Sequence, residues 1–361
     1  MLIAVVGLAG AGRHAVAEFL EREHGFTRVG LGDAPATDGS LRFASKSDLL
    51  QFVTANWLRN YVTLDLQDMH TVAPFEKRPW FLLVSVEAPL LQRWARWRER
   101  HADLAASTTL EQFIAADDAA MYGAGSAAAA EPEEDADASV VSATDAALEA
   151  DTANMSLLQR DGVLVSASLP GASGALASLQ SRAHLRIANT FPTLAQLCAH
   201  LQTLALPSQH RLRPTWDTYF VSLCTLASLR SNCMKRRVGA VIVRSNRVLS
   251  TGYNGTPRGL TNCNEGGCPR CNGSAPCGSN LDECVCLHAE ENALLELGRD
   301  RGGAQGTVLY CNTCPCLRCA VKIAQTGVQE VVYQLEYSMD GRSTQILAEA
   351  GVRIRKFLPP V

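Results

Sequence analysis

The stretches Leu287-His288-Ala289-Glu290 and Pro315-Cys316-Leu317-Arg318-Cys319 decide how the C-terminal part of this chain folds. They supply one imidazole, two thiols and one carboxylate. Catalytic zinc commonly takes three protein ligands and leaves a fourth position for water, whose pKa it lowers to about 7. His288, Cys316 and Cys319 provide the three ligands, and Glu290 remains as a carboxylate that the metal does not need. The two stretches therefore predict a zinc site that activates water.

The spacing of Cys316 and Cys319 places both thiols on one face of a predicted helix. Cys316 and Cys319 lie three residues apart at the start of a predicted helix, so their side chains share a face. Pro315 is typical of a first helical turn, and the N-terminus of a helix favours thiolates. The spacing therefore favours one metal ion held by both thiols.

Glu290 lies on the apolar stripe of the helix that begins near His288. The stripe continues three, four and seven positions later, at Ala293, Leu294 and Leu297. A carboxylate on such a stripe is expected to be buried with a raised pKa, as a proton shuttle requires. The neighbouring Glu291 lies off the stripe and is expected to be an ordinary surface acid.

The pattern distinguishes a catalytic site from a structural zinc knuckle. Structural sites usually fill four positions with Cys and His, and a buried glutamate two residues after the histidine favours catalysis. H-x-E…P-C-x-x-C is the signature of zinc-dependent nucleobase deaminases. In that chemistry Glu290 takes a proton from the activated water and gives it to the ring N3. Hydroxide attacks C4, and Glu290 then relays a proton to the departing ammonia.

Composition narrows the class of protein. A chain of 361 residues suggests about two domains, and 47% hydrophobic with 19% charged residues is ordinary for a globular protein. A net charge of -3 argues against a protein that coats nucleic acid, although a small basic pocket for one phosphate is compatible with it. No uninterrupted apolar run is long enough to span a bilayer. We therefore expect neither a membrane nor a nucleic acid as partner.

The placement of cysteines bears on the compartment. None of the 13 cysteines occurs before Cys198, and most lie between Cys263 and Cys319. The N-terminus is apolar but has no basic n-region, so it is interpreted as a buried strand rather than a signal peptide. Without an export signal, clustered cysteines favour metal binding over disulfides. The expected location is the cytoplasm, with the nucleus as an open alternative.

The N-terminus has the pattern of a degenerate phosphate-binding loop. An apolar run at 2–6 is followed by a glycine-rich turn from Gly7 to Gly12 and by a helix over 15–23. The motif requires Lys and then Ser or Thr, but Arg13 and His14 stand there. Arginine can pair with phosphate, whereas histidine cannot replace the hydroxyl that holds magnesium. A structural turn is favoured, a vestigial or regulatory nucleotide site stays open, and an active phosphotransferase is least favoured.

Further elements predict an α/β layer in this part. Helices are expected at 49–59, 89–100 and 194–204, and strands at 61–66, 80–86 and 185–188. In the second helix Trp94 and Trp97 are expected to pack, while the arginines are expected to form a solvated face: Arg93, Arg96, Arg98 and Arg100. Residues 124–153 are rich in Ala, Glu, Asp and Ser and predict a disordered acidic insertion, with order resuming near 162–165. The expected domains are 1–206 and 215–361, joined by a linker at 207–214.

The C-terminal part predicts a second α/β domain. Its expected helices and strands follow the order αββαβαβαβ, from a helix at 216–229 to a final strand at 352–357. That order implies a sheet with helices on both faces, which is a three-layer α/β/α sandwich. In the turn at 252–257, Gly255 is expected to supply unusual backbone angles.

From about Arg213 onward the chain resembles the deoxycytidylate (dCMP) deaminase family. The stretches that carry this resemblance are VGAV at 238–241, STGYNGTP at 250–257, LHAEENA at 287–293, TCPCLRC at 313–319 and RKFLP at 355–359. With CNEGGCPRC at 263–271 and the N-terminal part, the chain resembles the fungal form. That form implies a cytidine-deaminase-like sandwich preceded by a P-loop-kinase-like α/β domain whose P-loop is degraded.

The resemblance implies a substrate, effectors and an assembly. It implies conversion of dCMP to dUMP and ammonia for thymidylate synthesis, by a homo-oligomer that is commonly a hexamer. Activation by dCTP and inhibition by dTTP are implied as well, and Mg²⁺ would accompany such a nucleoside triphosphate. The alternatives are a deaminase acting on cytosine or adenine in tRNA or single-stranded DNA, and a non-enzymatic zinc module. The acidic charge and the lack of an extended basic or aromatic surface disfavour the first, and the His-x-Glu pair disfavours the second.

The resemblance also implies roles for individual residues. Asn254 would contact the deoxyribose, and Glu290 the base. Ala289 is a further substrate-binding candidate, and the candidates near the substrate phosphate are Ser231, Lys235 and Tyr337. The turn containing Tyr253 and Gly255 would border the allosteric nucleotide.

Related deaminases carry a second, structural zinc in the cysteine-rich region. The C-x4-C-x2-C spacing suits a thiolate site, and the expected ligands are Cys263, Cys268 and Cys284 with Cys271 or Cys286 as the fourth. Free thiols on a flexible loop are the alternative. The cysteines expected to be small core residues are Cys198, Cys224 and Cys233.

Overall fold

The computed structural model describes residues 1–32, 40–123, 176–276, 279–298, 302–336 and 340–359. They form two compact units, and the boundary between the two in the sequence falls between Arg213 and Pro214. The acidic insertion expected at 124–153, the return to order expected at 162–165, and Tyr337 lie outside the described residues. None of the helices described here combines the length and the apolar character needed to cross a membrane.

The first unit is built on a six-stranded parallel sheet with the order β3-β2-β4-β1-β5-β6. The strands are β1 Leu2–Val6, β2 Thr27–Leu31, β3 Leu41–Phe43, β4 Tyr61–Thr63, β5 Phe81–Glu87 and β6 Leu185–Ala188. Every residue of β1 is buried, because helices cover both faces of a parallel sheet. Ile3 and Val5 pack toward one set of helices, and Leu2 and Ala4 toward the other.

The helices of this unit connect the strands. They are α1 Arg13–His24, α2 Lys46–Ala55, α3 Met69–Glu76, α4 Leu90–Arg100, α5 Ala102–Ala105, α6 Leu110–Tyr122, α7 Leu176–Arg182, α8 Leu194–Leu204 and α9 Gln209–Leu212. The helix expected at 49–59 begins earlier, because Ser45 caps it by accepting a hydrogen bond from the Asp48 N–H. Strands β2 and β3 and helices α3, α5, α6, α7 and α9 were not predicted, and α9 lies in the expected linker.

The expectation of a solvated arginine face on α4 is wrong for Arg93 and Arg96. Arg93 is 6% exposed and forms an ion pair with Asp117 of α6, the unpredicted helix that covers it. Its guanidinium also donates to the carbonyl of Ala9, and that of Arg96 donates to the carbonyl of Gly10. Both arginines therefore bind the glycine-rich turn between β1 and α1. Trp94 and Trp97 stack on each other, as expected of packing residues.

Close packing accounts for the glycines of that turn. All three have positive φ, at 150° for Gly7, 75° for Gly10 and 109° for Gly12. A Cβ atom would overlap the Val86 carbonyl at Gly7 and the backbone of Arg93 at Gly10. Arg13 opens α1, and burial lowers the pKa of its guanidinium.

The second unit has a five-stranded sheet with the order β11-β10-β9-β7-β8. Its strands are β7 Gly239–Arg244, β8 Arg247–Tyr253, β9 Val308–Thr313, β10 Glu330–Leu335 and β11 Arg353–Lys356. Strand β7 is antiparallel to both neighbours, whereas β9, β10 and β11 are parallel. Ser245 and Asn246, with φ of 48° and 59°, form the tight turn between β7 and β8.

Helices cover both faces of this sheet. They are α10 Trp216–Ser228, α11 Pro269–Asn272, α12 Ala289–Leu297, α13 Leu317–Gln325 and α14 Asp340–Glu349. Phe220 of α10 packs on one face of the sheet, and Ala293 of α12 and Ile323 of α13 pack on the other. The predicted order αββαβαβαβ and the three layers are confirmed. Only the short elements of the cysteine-rich segment, including α11, are additional.

Candidate zinc centre and active site

His288 is fixed by the elements on either side of it. It is the N-cap residue of α12, and the preceding Leu287 exchanges two backbone hydrogen bonds with Gly255. Helix α12 lies close to β8 because residue 252 is a glycine, where a Cβ would overlap the Ala289 carbonyl. The imidazole is therefore held between the end of the hairpin and the start of the helix.

Cys316 and Cys319 meet His288 from a second helix. Cys316 is the N-cap residue of α13, and Cys319 lies buried in its first turn. Their Sγ atoms are 3.2 and 3.4 Å from His288 Nδ1. With zinc bonds of about 2.3 Å to sulfur and about 2.0 Å to nitrogen, tetrahedral coordination separates such atoms by about 3.5 Å. The three residues therefore fit one zinc ion and leave its fourth position open.

The electrostatics of the trio favour a metal-binding thiolate. A hydrogen bond from the Cys319 thiol, together with the imidazole of His288, lowers the pKa of Cys316 to about 3. A thiolate is the form of cysteine that binds metal. His288, Cys316 and Cys319 thus lie together, as the sequence predicts, with their ligand atoms within 4.8 Å of one another.

Glu290 is buried beside these ligands. It is 4% exposed and lies on the same helical stripe as the buried Ala293 and Leu297. Burial raises the pKa of its carboxyl, and the Cys319 thiol is a hydrogen-bond partner. A carboxyl with a raised pKa takes up a proton more readily than an ordinary one and can release it again. The arrangement therefore places a buried carboxyl beside three residues that could hold a metal ion.

Glu291 is not the ordinary surface acid that was expected. Its carboxylate pairs with the ammonium of Lys322 on α13, and its side chain is 20% exposed. The pair links α12 to α13, the two helices at whose N-termini His288, Cys316 and Cys319 stand. Lys322 could not be predicted as the partner of Glu291 because it lies on another helix.

Three residues expected to bind substrate hold the backbone around the site. Asn254 is buried, its Oδ1 accepts from the Val238 N–H at 2.8 Å, and its Nδ2 donates to the Arg236 carbonyl at 2.7 Å. Ser231 Oγ donates to the Asn254 carbonyl. Lys235 Nζ donates to a backbone carbonyl in the cysteine-rich segment. The segment 231–238 is therefore fastened to the turn that follows β8 and to the cysteine-rich segment.

The remaining predicted positions surround the same turn. Gly255 does not have a positive φ, so the expectation of unusual backbone angles is wrong. Its lack of a side chain instead makes room for the amide of Asn232. The Tyr253 carbonyl accepts a hydrogen bond from Asn292 of α12, and Ala289 is fully buried.

Six thiols form a separate cluster, called here the cysteine cluster. Its members are Cys233, Cys263, Cys268, Cys271, Cys284 and Cys286. Two sets of four have all their Sγ atoms within 4.8 Å of one another: Cys233, Cys263, Cys271 and Cys286 form one set, and Cys268, Cys271, Cys284 and Cys286 form the other.

The grouping of the Sγ atoms differs from the ligand set expected from sequence. Cys268, Cys271 and Cys284 lie in one set, whereas Cys263 lies in the other. Cys233 is a member of the cluster rather than a core residue. It was missed because it precedes Cys263 by 30 positions and only folding brings the two segments together. Cys311 and Cys314 are buried and lie in neither set.

The fold and the site define a class of protein. A sandwich in which two helix N-termini present His-x-Glu and Cys-x-x-Cys to one point is a zinc-dependent deaminase domain. The family described as cytidine and deoxycytidylate deaminase zinc-binding region matches residues 214–335.

Relatives extend the match to the whole chain. It is 40% identical over 365 residues to a deoxycytidylate deaminase of Schizosaccharomyces pombe, covering 98% of each chain. Over 324 residues it is 39% identical to a deoxycytidylate deaminase of Saccharomyces cerevisiae, covering 86% of this chain and 85% of the other. The protein belongs to the deoxycytidylate deaminase family.

A solved structure is similar to part of the chain. The dCMP deaminase from the cyanophage S-TIM5, crystallised in complex with dCMP and dUMP, is 34% identical. The match covers 40% of this chain and 98% of the cyanophage chain, with a TM-score of 0.35.

Proposed function

We propose that the protein deaminates dCMP hydrolytically to dUMP and ammonia and so supplies dUMP for thymidylate synthesis. The single observation that carries the reaction is the buried carboxyl of Glu290 beside His288, Cys316 and Cys319. Membership of the deoxycytidylate deaminase family over the full chain supports the substrate. A deaminase acting on nucleic acid is the alternative, and the net charge of -3 disfavours it.

His288, Cys316 and Cys319 would hold the catalytic zinc. When bound, the ion supplies the Lewis acidity that lowers the pKa of a water to about 7. Glu290 accepts the proton that this water loses and gives it to N3 of the cytosine ring, which makes C4 more electrophilic. Once the water oxygen has bonded to C4, Glu290 takes the remaining proton of that hydroxyl and delivers it to the amino nitrogen, so that the C4–N bond breaks and ammonia leaves. Burial raises the pKa of the Glu290 carboxyl, which favours its uptake of a proton.

The turn at 253–257 and the segment 231–238 would form the substrate side of the site. Asn254 would contact the deoxyribose and Glu290 the base. The further candidates for substrate binding are Ala289, Ser231, Lys235 and Tyr337. Hydrogen bonds to backbone already occupy the polar atoms of Asn254, so we propose that it also positions the segment 236–238. Tyr253 and Gly255 would border an effector nucleotide.

Family membership also supports regulation and assembly. Activation by dCTP, inhibition by dTTP, Mg²⁺ bound with the effector and a homohexamer are proposed on that ground. The first unit would be a nucleotide-kinase-like domain without phosphotransfer, because Arg13 and His14 stand where the motif needs Lys and a hydroxyl. The cysteine cluster would bind structural zinc. The proposed location is the cytoplasm, with the nucleus open.

Ammonia release from four substrates tests the proposed function. The purified chain is incubated with dCMP, deoxycytidine, dCTP and a cytosine-containing oligonucleotide, and the Glu290→Ala variant is assayed alongside. We expect turnover of dCMP above the other three, and loss of that turnover in the variant while zinc stays bound. Preferred turnover of the oligonucleotide would identify a nucleic-acid deaminase instead.

A further inference from the structure

The cysteine cluster contains more thiols than one zinc ion can use. A structural zinc takes four ligands, commonly in tetrahedral geometry. Six thiols lie together here, and the two sets of four share Cys271 and Cys286. Each set is completed by its own pair, Cys233 with Cys263 in one and Cys268 with Cys284 in the other. A single ion in either set would leave one pair without a metal.

The sulfur separations match two tetrahedra that share an edge. With a zinc–sulfur bond of about 2.3 Å, two sulfurs of one tetrahedron lie about 3.8 Å apart. The shared pair, Cys271 and Cys286, is separated by 4.0 Å. Cys271 lies 3.8 Å from Cys233 on one side and 3.5 Å from Cys284 on the other. A disulfide needs about 2.0 Å, so none of these pairs is covalently bonded.

The surroundings of the cluster suit a negatively charged metal–thiolate group. Six thiolates exceed the charge of two Zn²⁺ ions by two negative charges. Arg270 is 8% exposed and directs Nη1 toward Cys271 Sγ at 4.0 Å. The Met234 N–H donates to Cys263 Sγ at 3.4 Å, and Asn272 Nδ2 approaches the same sulfur at 3.8 Å. A buried cation and two N–H donors thus face the sulfurs.

We propose that the cysteine cluster binds two zinc ions, with Cys271 and Cys286 bridging them. Cys233 and Cys263 complete the coordination of one ion, and Cys268 and Cys284 complete that of the other. The two ions are distinct from the catalytic zinc at His288, and the proposal does not rest on the substrate of that site.

The position of the cluster gives it a structural role in the deaminase unit. Cys286 stands two residues before His288, and Cys233 stands two residues after Ser231, whose hydroxyl holds the Asn254 carbonyl. The bridged pair of ions therefore ties the segment 231–238 to the chain that enters α12. Without metal, both segments would lose a shared anchor next to the catalytic ligands.

Metal content and zinc X-ray absorption of the purified full-length chain test the proposal. We expect three zinc ions per chain and a zinc–zinc scattering path, which only bridged ions produce. Cys284→Ser removes a terminal ligand, so we expect it to lose one zinc and the zinc–zinc path. Cys198→Ser, outside the cluster on α8, should keep all three ions and the path.

The zinc content and X-ray absorption of the wild-type chain test the proposal even if the variants fold poorly. Two zinc ions per chain with no zinc–zinc path would mean that the cluster holds a single ion, and would overturn the proposal. A disulfide among the six cysteines, found by mass spectrometry of the unreduced chain, would overturn it as well.

Discussion

Two adjacent glutamates, Glu290 and Glu291, have opposite environments on helix α12. Glu290 is buried, and burial raises the pKa of its carboxyl. Glu291 forms an ion pair with Lys322 across the gap between α12 and α13. Helical periodicity predicts the first environment, because it depends on the stripe that the helix itself carries. It does not predict the second, because the partner lies 31 positions further along the chain.

At the same scale, Asp217 joins three elements of the second unit. Its carboxylate accepts two hydrogen bonds from the Arg355 guanidinium and one from the Tyr310 hydroxyl, each at 2.8 Å. The hydrogen bonds from Arg355, followed by that from Tyr310, hold the pKa of Asp217 below its usual range. Since the pKa is lower in the folded state, the stabilisation is present above the unfolded value near 3.9 and is lost as pH falls through the folded value.

We expect Asp217→Asn to lower the free energy of unfolding by about 1–2 kcal/mol at neutral pH. The difference from wild type should be constant between about pH 5 and 7 and shrink below about pH 4. Urea unfolding across this range measures it. Glu336→Gln removes an exposed partner of Lys356 and should change little. A difference that grew toward low pH would be inconsistent with a lowered pKa.

At the scale of elements, the contact between β8 and α12 determines where His288 and Glu290 lie. The helix can approach only because Gly252 has no side chain beneath the Ala289 carbonyl. Since His288 and Glu290 stand at the start of α12, any displacement of the helix moves the proposed zinc ligand and the proposed proton carrier together. Cys316 and Cys319 stand on a different helix and would not follow.

Gly252→Ala is expected to destabilise the protein by about 1–3 kcal/mol, because the added methyl group overlaps the helix backbone. We also expect a larger loss of kcat than of stability would explain, since the site is sensitive to displacements of about 1 Å. Denaturant unfolding and dCMP turnover measure the two effects. Gly341→Ala is the matched control, because that glycine lies in α14 with nothing near its Cβ position. Wild-type kcat in Gly252→Ala would contradict this dependence.

Helices and strands were predictable where the pattern of apolar residues within one segment is enough to determine its structure. The apolar run of β1, the stripe of α12 and the order of the C-terminal elements follow from local periodicity. The environments of residues that contact a partner far away in the sequence were not predictable. Arg93 was expected in solvent and is buried against Asp117, because α6 folds over it. Cys233 was expected in the core and joins the cysteine cluster, because the segment 263–286 folds onto it.

For the whole molecule, the two compact units differ in metal chemistry. All groups of ligand atoms suited to a metal, among the residues described, belong to the second unit. The first unit relies on the apolar cores on both faces of its parallel sheet. A metal that binds only the folded form stabilises it by mass action. The two units should therefore respond differently to metal removal.

Calorimetry with and without a strong zinc chelator tests this difference. We expect two heat transitions, of which only that of the second unit moves to lower temperature when zinc is removed. Leu20→Ala, which leaves a cavity in the core of the first unit, should lower the other transition through a loss of about 2–5 kcal/mol. A chelator that shifted both transitions equally would contradict the confinement of zinc to the second unit.

Ammonia release from dCMP by the wild-type chain and by Glu290→Gln, with zinc measured on the same samples, tests most directly whether Glu290 carries the proton. The amide keeps the size of the side chain but cannot accept and return a proton. We expect kcat to fall about 10²–10⁴-fold with unchanged zinc content, while Glu291→Gln stays within a few-fold of wild type. Full turnover of dCMP by zinc-loaded Glu290→Gln would contradict the proposed mechanism.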